Sequence, residues 1–472
     1  MAKSKGHTEH TKAADEPRGL PGKMPRPLKI AMLGAGSGFT PRLMNDVMLI
    51  PTAEKGEIAL VDIDEDRLTT MHKLIRKLIA KLGKSGWKVT ASTKRREVMK
   101  DANYLINCIE VSGVDCVRHD NDIPARYGVD QCIGDTIGPG GLFKGLRTIP
   151  VWLAMLKDAE ELCPAAQVLN YTNPMNMMCL AAGRTSSMDV VGLCHSVQGA
   201  SHLLARRAQV PYEEMVWDCA GINHFAWFVK LEHNGKDLYP LLMEKARKDL
   251  AGTPADPKDA EDLVRKDMML HFGAFMTESS GHLSEYLPYY RKRRDVLAKY
   301  CRPRYEGGSS FYANEWPKWR KDADAQRMKM VRGEEPIGWE RSWEYASWII
   351  EACEKNTPFR IYGNVMNVAD GAGPLITNLP QDGCVELRCL VDRNGIQPVR
   401  FGALPPQMAA MCASNMSMFD LAAKAAAERS KEAAMHALLL DPLTAAVCSP
   451  AEIKQMTIEL FEAEEKFLPG YK

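Results

Sequence analysis

Residues 29–40 read KIAMLGAGSGFT, and the fold is decided here. Lys29 to Leu33 is an apolar run that stops at Gly34, and from Pro41 to Ile50 the residues Leu43, Met44, Val47 and Met48 recur on one helical face. The order is strand, glycine turn, helix. A second apolar run, Ile58 to Val61, ends at Asp62, and a third, Tyr104 to Ile109, ends in a loop. Between them LTTMHKLIRKLIAKL has the spacing of an amphipathic helix. Another helix is expected from Ile149 to about Cys163, leading into the strands VLNY and VVGLC. Strands alternating with helices in this way predict an α/β fold with a doubly wound parallel sheet over residues 28–195.

Beyond residue 195 the patterns are less regular and are read as an α+β domain over 196–472. It has a polar helical stretch near 255–270, an aromatic-rich segment at 286–317 and strands and turns from about 360 to 404. Ser449, Pro450 and Glu452 mark the start of a C-terminal helix, as cap, first-turn proline and capping-box acid.

Composition narrows the classes. The chain has 472 residues, 45% hydrophobic and 26% charged, enough for two or three domains with real cores. A formal net charge of +1 offers no field that would draw it to nucleic acid or to an anionic membrane. No apolar run approaches the ~18 residues of a membrane span. The first 27 residues (MAKSKGHTEHTKAADEPRGLPGKMPRP) lack the apolar centre of a secretory signal and are expected to form a flexible extension. The 13 cysteines contain no C-x-x-C, so neither a disulfide framework nor a zinc ribbon is indicated, and a reducing, cytoplasmic setting is expected.

The turn Gly34-Ala35-Gly36-Ser37-Gly38 follows a strand and opens a helix, the place where a pyrophosphate approaches backbone N–H groups and a helix N-terminus. This makes the first domain Rossmann-like, with Gly34, Gly36 and Ser37 as candidate dinucleotide contacts. Asp62, at the end of the second strand, is placed to accept from a ribose diol, and an acid there favours NAD over NADP. Phe39 stands where the usual motif has its last glycine.

Four later segments carry chemistry. They are HDNDIPARYG (119–128) running into CIGDTIGPGGLFKGLRTIP (132–150); NYTNP (170–174); CHSVQG (194–199) with GINHF (221–225); and SSGHLSEYLPYYRK (279–292). Each alone has a bland explanation. Their residue types and order together resemble family 4 of the glycoside hydrolases, from Lys29 to about residue 405, and NVMN…ITNLP (364–380) is similar to that family's later domain. The family is an NAD-dependent exception to two-carboxylate glycosidase chemistry.

The resemblance implies a lactate/malate-dehydrogenase-like architecture, NAD and a divalent metal, usually Mn²⁺, and roles for individual residues. Cys194 and His224 match the metal-binding positions; thiolate and imidazole would also accept other divalent ions. Asn173 and Ser196 match sugar-contacting positions. Tyr286 matches the base that removes the C2 proton after oxidation at C3, with Tyr289 and Tyr290 as neighbours to distinguish. Asp120 matches an acid that tunes that base or transfers a proton itself, and His195 the general acid. Residues 196–472 would then hold substrate and metal and form the contacts of a homodimer or homotetramer.

The string Cys194-His195-Ser196-Val197 is similar to that of the family's α-galactosidases, whereas the phospho-glycosidases carry Asp or Asn after the cysteine. An unphosphorylated α-galactoside is therefore the expected substrate, with an α-glucoside or α-uronide as the alternative. A plain NAD-dependent hydroxy-acid dehydrogenase would share the glycine turn but would use a His–Asp pair and substrate arginines without a metal. A catalytically silent NAD-binding protein would leave Cys194, His224 and Tyr286 unexplained.

Overall fold

The computed structural model describes residues 19–254, 260–368 and 373–472. Parts of the expected extension (1–18), of the polar helical stretch (255–259) and of the 364–380 segment (369–372) lie outside the described residues.

The parallel strands are β1 (Leu28–Leu33), β2 (Lys55–Val61), β3 (Gly86–Ser92), β4 (Tyr104–Asn107), β5 (Gln167–Asn170) and β6 (Val190–Gly192). They lie in the order β3-β2-β1-β4-β5-β6. That is the doubly wound dinucleotide-binding order, with its crevice between β1 and β4, where the winding reverses. Helices cover both faces, which is why Ile30 to Leu33 and Ile58 to Leu60 are buried without alternation. β3 escapes an apolar-run reading because it is an edge strand in which Trp87 alone is fully buried.

The sheet does not stop at residue 195. β7 (Met215–Ile222), β8 (Phe225–His233), β9 (Lys236–Asp237), β10 (Phe359–Met366), β11 (Cys384–Asp392) and β12 (Gly395–Pro398) extend it, β10 joining antiparallel to β6. The path runs on as β6-β10-β11-β7-β8-β9, with β12 on β11. C-terminal helices fold back onto the first half: Phe461 meets Phe143 at 4.9 Å between ring centroids, and the Tyr471 hydroxyl donates to the Leu146 carbonyl at 2.7 Å.

Two expectations need correction. The helix foreseen from Ile149 begins eleven residues earlier and spans Gly138–Leu162. Glycines weaken a helix by propensity, but here they permit close packing, since a Cβ on Gly140 would stand 2.2 Å from the Gly134 carbonyl oxygen. Residues 19–27, expected within a flexible extension, are docked on the helix Tyr345–Lys355. The Leu20 N–H donates to Glu351 (2.9 Å), Lys355 donates to the Leu20 carbonyl (2.9 Å), and Arg26 forks onto Glu354 (2.9 and 2.7 Å). The C-terminal helix Pro450–Ala463 begins with the full capping box of Ser449 and Glu452.

Candidate active site

The glycine turn is tied to β2. The Gly34 and Ala35 N–H groups donate to the Val61 carbonyl at 2.9 and 2.8 Å, and the Gly36 N–H donates to Asp62 Oδ2 at 2.7 Å. Gly34 has φ +77°, and a Cβ there would lie 2.5 Å from the Cys108 carbonyl oxygen, so only glycine fits. Ser37 is half-buried, and the helix Thr40–Met48 that follows has no side-chain cap on its first N–H groups. Uncapped N–H groups at the mouth of a doubly wound crevice are the donors a pyrophosphate needs. Asp62 spends one lone pair of each oxygen on the turn, on Gly36 and on Asp64, and keeps the others for a ribose.

Along the same edge β6 ends at Gly192, two residues before Cys194. Its sulfur accepts from the Ser196 N–H (3.5 Å), and its thiol donates to the Ser196 hydroxyl (3.3 Å), at the start of the helix Ser196–Ala208. A helix N-terminus favours thiolate. Ser196, expected to touch sugar, thus also hydrogen-bonds the sulfur. His224 occupies the two-residue turn between β7 and β8 at φ +60°, a conformation uncommon for histidine, which turns its ring inward. Its Nε2 lies 3.2 Å from the Cys194 sulfur and 3.5 Å from Glu278 Oε2.

The three donor atoms of Cys194, His224 and Glu278 lie within 4.8 Å of one another. Sulfur, nitrogen and oxygen converging in a buried spot suit a borderline divalent cation. Without a cation these groups fit poorly. Burial, with Glu386 and Glu278 nearby, pushes the Cys194 thiol well up. Burial also pushes the Glu278 carboxyl up, but His224, His282 and the Ser279 N–H outweigh it and hold it at about 2. His224 Nδ1 and the Tyr286 hydroxyl are buried with no hydrogen-bond partner.

Tyr286 is the tyrosine that faces this cluster. Its ring is fully buried, 6.5 Å from His224 and 6.0 Å from His282 between centroids, and stacked on Phe225. Burial raises its pKa well above 10, and Asp135, Glu278 and Glu285 add to the shift. Tyr290 instead donates to Asp267 at 2.7 Å, and Tyr289 is exposed.

Asp120 is not part of the cluster. Both of its oxygens are taken by Arg147, at 3.0 and 2.8 Å, and Arg147 also pairs with Glu464. Asp135, one of the carboxylates whose charge acts on the tyrosine, lies 3.5 Å from His282 Nε2 and 3.4 Å from Lys144. Burial works against ionisation of Asp135, yet Lys144 and His282 hold its pKa at about 2. His282 is lowered to about 4 by burial and by His224 beside it, so its ring is neutral at pH 7. His195 stands at the rim, its side chain half exposed and its Nδ1 3.9 Å from Glu344. Asn173 is half-buried in the loop after β5, on the same edge.

Glu278, His282, Glu285 and Asp135 were missed in the sequence. Their signal was spacing: Glu278, His282 and Tyr286 recur every four residues, as on one face of a helix. Glu285 accepts the N–H groups of Cys132, Ile133 and Gly134 (2.5, 2.7 and 3.2 Å), which pins the loop carrying Asp135 beside Tyr286. A cleft opens from Asp135 past Glu110 and Lys144 to Tyr312 and Trp316, whose rings stack at 5.2 Å.

Comparison with known proteins agrees with this geometry. The chain is 38% identical over 453 residues to an α-galactosidase of Rhizobium meliloti, covering 94% of this chain and 89% of the relative. It is 37% identical over 450 residues to an α-galactosidase of Bacillus subtilis, covering 94% and 100%. A 6-phospho-α-glucosidase from gut microorganisms, solved with NAD and Mn²⁺, superposes with a TM-score of 0.77 at 21% identity, over 95% of this chain and 100% of that one. Residues 29–210 match the family 4 glycosyl hydrolases and residues 219–444 their C-terminal domain, so with both halves accounted for, the chain belongs to family 4 of the glycosyl hydrolases.

Proposed function

We propose that this chain hydrolyses unphosphorylated α-galactosides with the help of NAD and a divalent metal, Mn²⁺ by preference. The observation that carries the reading is the buried Cys194–His224–Glu278 set beside Tyr286. The α-galactosidase relatives at 37–38% identity supply the sugar.

When bound, NAD supplies a reversible hydride acceptor and the metal a Lewis acid. The chain's own residues do the rest. Gly34, Gly36, Ser37 and Asp62 hold the dinucleotide at the β1/β4 crevice. Cys194 Sγ, His224 Nε2 and Glu278 Oε2 hold the ion, with Ser196 orienting the sulfur.

Tyr286 Oη takes the proton from C2 of the sugar. Its buried phenol is held well above its ordinary pKa, so a neighbouring cation is a condition for its action as a base at neutral pH. Asp135 and Glu285 set the position of the loop facing it, and their charge disfavours the phenolate until that cation is present. His195, at the rim, donates to the departing oxygen, and Asn173 binds sugar hydroxyls. No pair of carboxylates flanking the glycosidic bond is required.

The 13 cysteines are all free, including the thiol this chemistry uses, which supports a reducing, cytoplasmic setting. We infer a homo-oligomer, a dimer or tetramer, from the family resemblance.

The test is p-nitrophenol release from the α-galactoside, α-glucoside and α-glucuronide under reducing conditions, with and without NAD⁺ and Mn²⁺. The galactoside is expected to be cleaved, with both additions needed. Cleavage of another sugar with the same needs would keep the chemistry and replace the substrate. NADH formation from a hydroxy acid with no glycoside cleaved would overturn the reading.

A further inference from the structure

A second set of ligating side chains lies away from the cluster described above. Cys116, at the start of the helix Val117–Arg126, and His119 one turn on form a C-x-x-H pair. Three residues apart, they project on the same side of the helix. Against them stands Glu464, at the end of the helix Pro450–Ala463. One donor atom from each of the three lies within 4.8 Å of the other two.

Two polar atoms of this set have no partner within the protein. Glu464 is 1% exposed, and its Oε1 is buried with no hydrogen-bond partner. Nδ1 of His119 is also buried and unpartnered. Buried polar atoms in folded proteins are nearly always satisfied, and both of these belong to side chains of the cluster.

The local charge has the sign a cation needs. Asp120 and Glu464 share one guanidinium, that of Arg147, and the side chains are 9%, 0% and 1% exposed. Two buried carboxylates against one positive group leave an excess of one negative charge. A divalent cation with a Cys116 thiolate would bring the group to neutrality. Arg147 lies against the other oxygen of Glu464, so it orients the carboxylate as an outer partner does in metal sites.

We propose that Cys116, His119 and Glu464 bind a structural Zn²⁺ ion, with water completing a tetrahedral set. Sulfur and imidazole favour zinc over the harder Mn²⁺. The ion would clamp the C-terminal helix to the Val117–Arg126 helix, which are already joined by Arg126 and Glu459 at 2.6 Å. Asp120 and Arg147, the neighbours of this site, line the cleft that leads to Asp135, so the clamp would also stiffen one wall of the sugar site.

The experiment is a count of tightly held metal. Full-length protein is loaded with Zn²⁺ under reducing conditions, freed of loose metal by gel filtration and assayed by plasma mass spectrometry. Wild type is expected to hold two equivalents per chain, Cys116→Ser and His119→Gln one each, and Cys194→Ser one. One equivalent in wild type, or two in a soluble Cys116→Ser protein, overturns the proposal.

Because Cys116 is buried, its variant could fail to fold, so cobalt provides an independent readout. Cys194→Ser protein loaded with Co²⁺ retains only the Cys116 thiol among the proposed ligands. A thiolate-to-cobalt charge-transfer band supports the site, and its absence in folded Cys194→Ser protein overturns it.

Discussion

The Cys194 sulfur lies 3.2 Å from Nε2 of His224, although the two residues follow strands, β6 and β7, that are not neighbours in the sheet. The β10–β11 hairpin brings them together. Asn364 pairs with Gly192, two residues before Cys194, and Glu386 pairs with Gly221, three residues before His224. Asn364 donates to Glu386 at 3.1 Å and locks the two junctions to each other. The meeting of thiol and imidazole is a consequence of strand insertion.

Tyr286→Phe should leave the fold intact, because the ring packs against Phe225 and Phe419 and the hydroxyl has no hydrogen-bond partner. Loss of a positioned base lowers kcat by about 10²–10⁴-fold. Steady-state kinetics at saturating NAD⁺ and Mn²⁺, beside a thermal melt, checks both. Near-normal turnover would remove Tyr286 from the role of base.

Glu278→Gln keeps the shape of the side chain and removes its charge. The concentration of Mn²⁺ giving half-maximal activity is expected to rise about 10–100-fold, the range seen for groups that support a metal site. An unchanged metal requirement would mean that Cys194 and His224 hold the ion without it.

Asp62→Ala removes the acceptor of the Gly36 N–H and the candidate partner of the ribose. A charge-assisted hydrogen bond contributes about 1.5–3 kcal/mol, so NAD affinity should weaken at least about tenfold. Calorimetric titration with NAD⁺ measures this directly. Equal affinity in the variant would place the dinucleotide elsewhere.

Asp262 is buried between Arg207 (2.7 Å) and Arg265 (2.5 Å) and also accepts from the Ser280 hydroxyl. Burial alone would raise its carboxyl, but the two guanidinium groups outweigh it and hold the pKa at about 2, below the ordinary 3.8. The ionised form is therefore favoured in the folded state. Its contribution is complete above pH ~4 and is lost as the pH falls through 2. Urea midpoints measured from pH 6 down to pH 3 should decline in wild type and more shallowly in Asp262→Asn. Parallel curves would show that other groups govern acid stability.

Much of this was legible before any coordinates. The doubly wound half, Gly34, Asp62, and Cys194, His224 and Tyr286 as a set could all be read from apolar periodicity and short strings, since each depends on its own few neighbours. Asp120 could not be assigned, because nothing near residue 120 announces that Arg147 and Glu464 will take its charge. Glu278 and His282 were visible only as a four-residue spacing whose meaning depends on what the segment faces. Residues 19–27 look like any polar tail until Glu351 and Glu354 arrive from more than three hundred positions away.

By itself, then, the sequence determined the winding of the first sheet, the place of the dinucleotide turn and the identities of thiol, imidazole and phenol, because local spacing and backbone chemistry suffice for these. Tertiary structure alone decided that the sheet runs on past residue 195, that Arg147 and Glu464 engage Asp120 while Asp135 lies beside His282, and that Glu278 stands with Cys194 and His224. Those outcomes depend on which distant charges meet when strands insert and helices dock, and pairing across a fold leaves no imprint on the residues beside each partner.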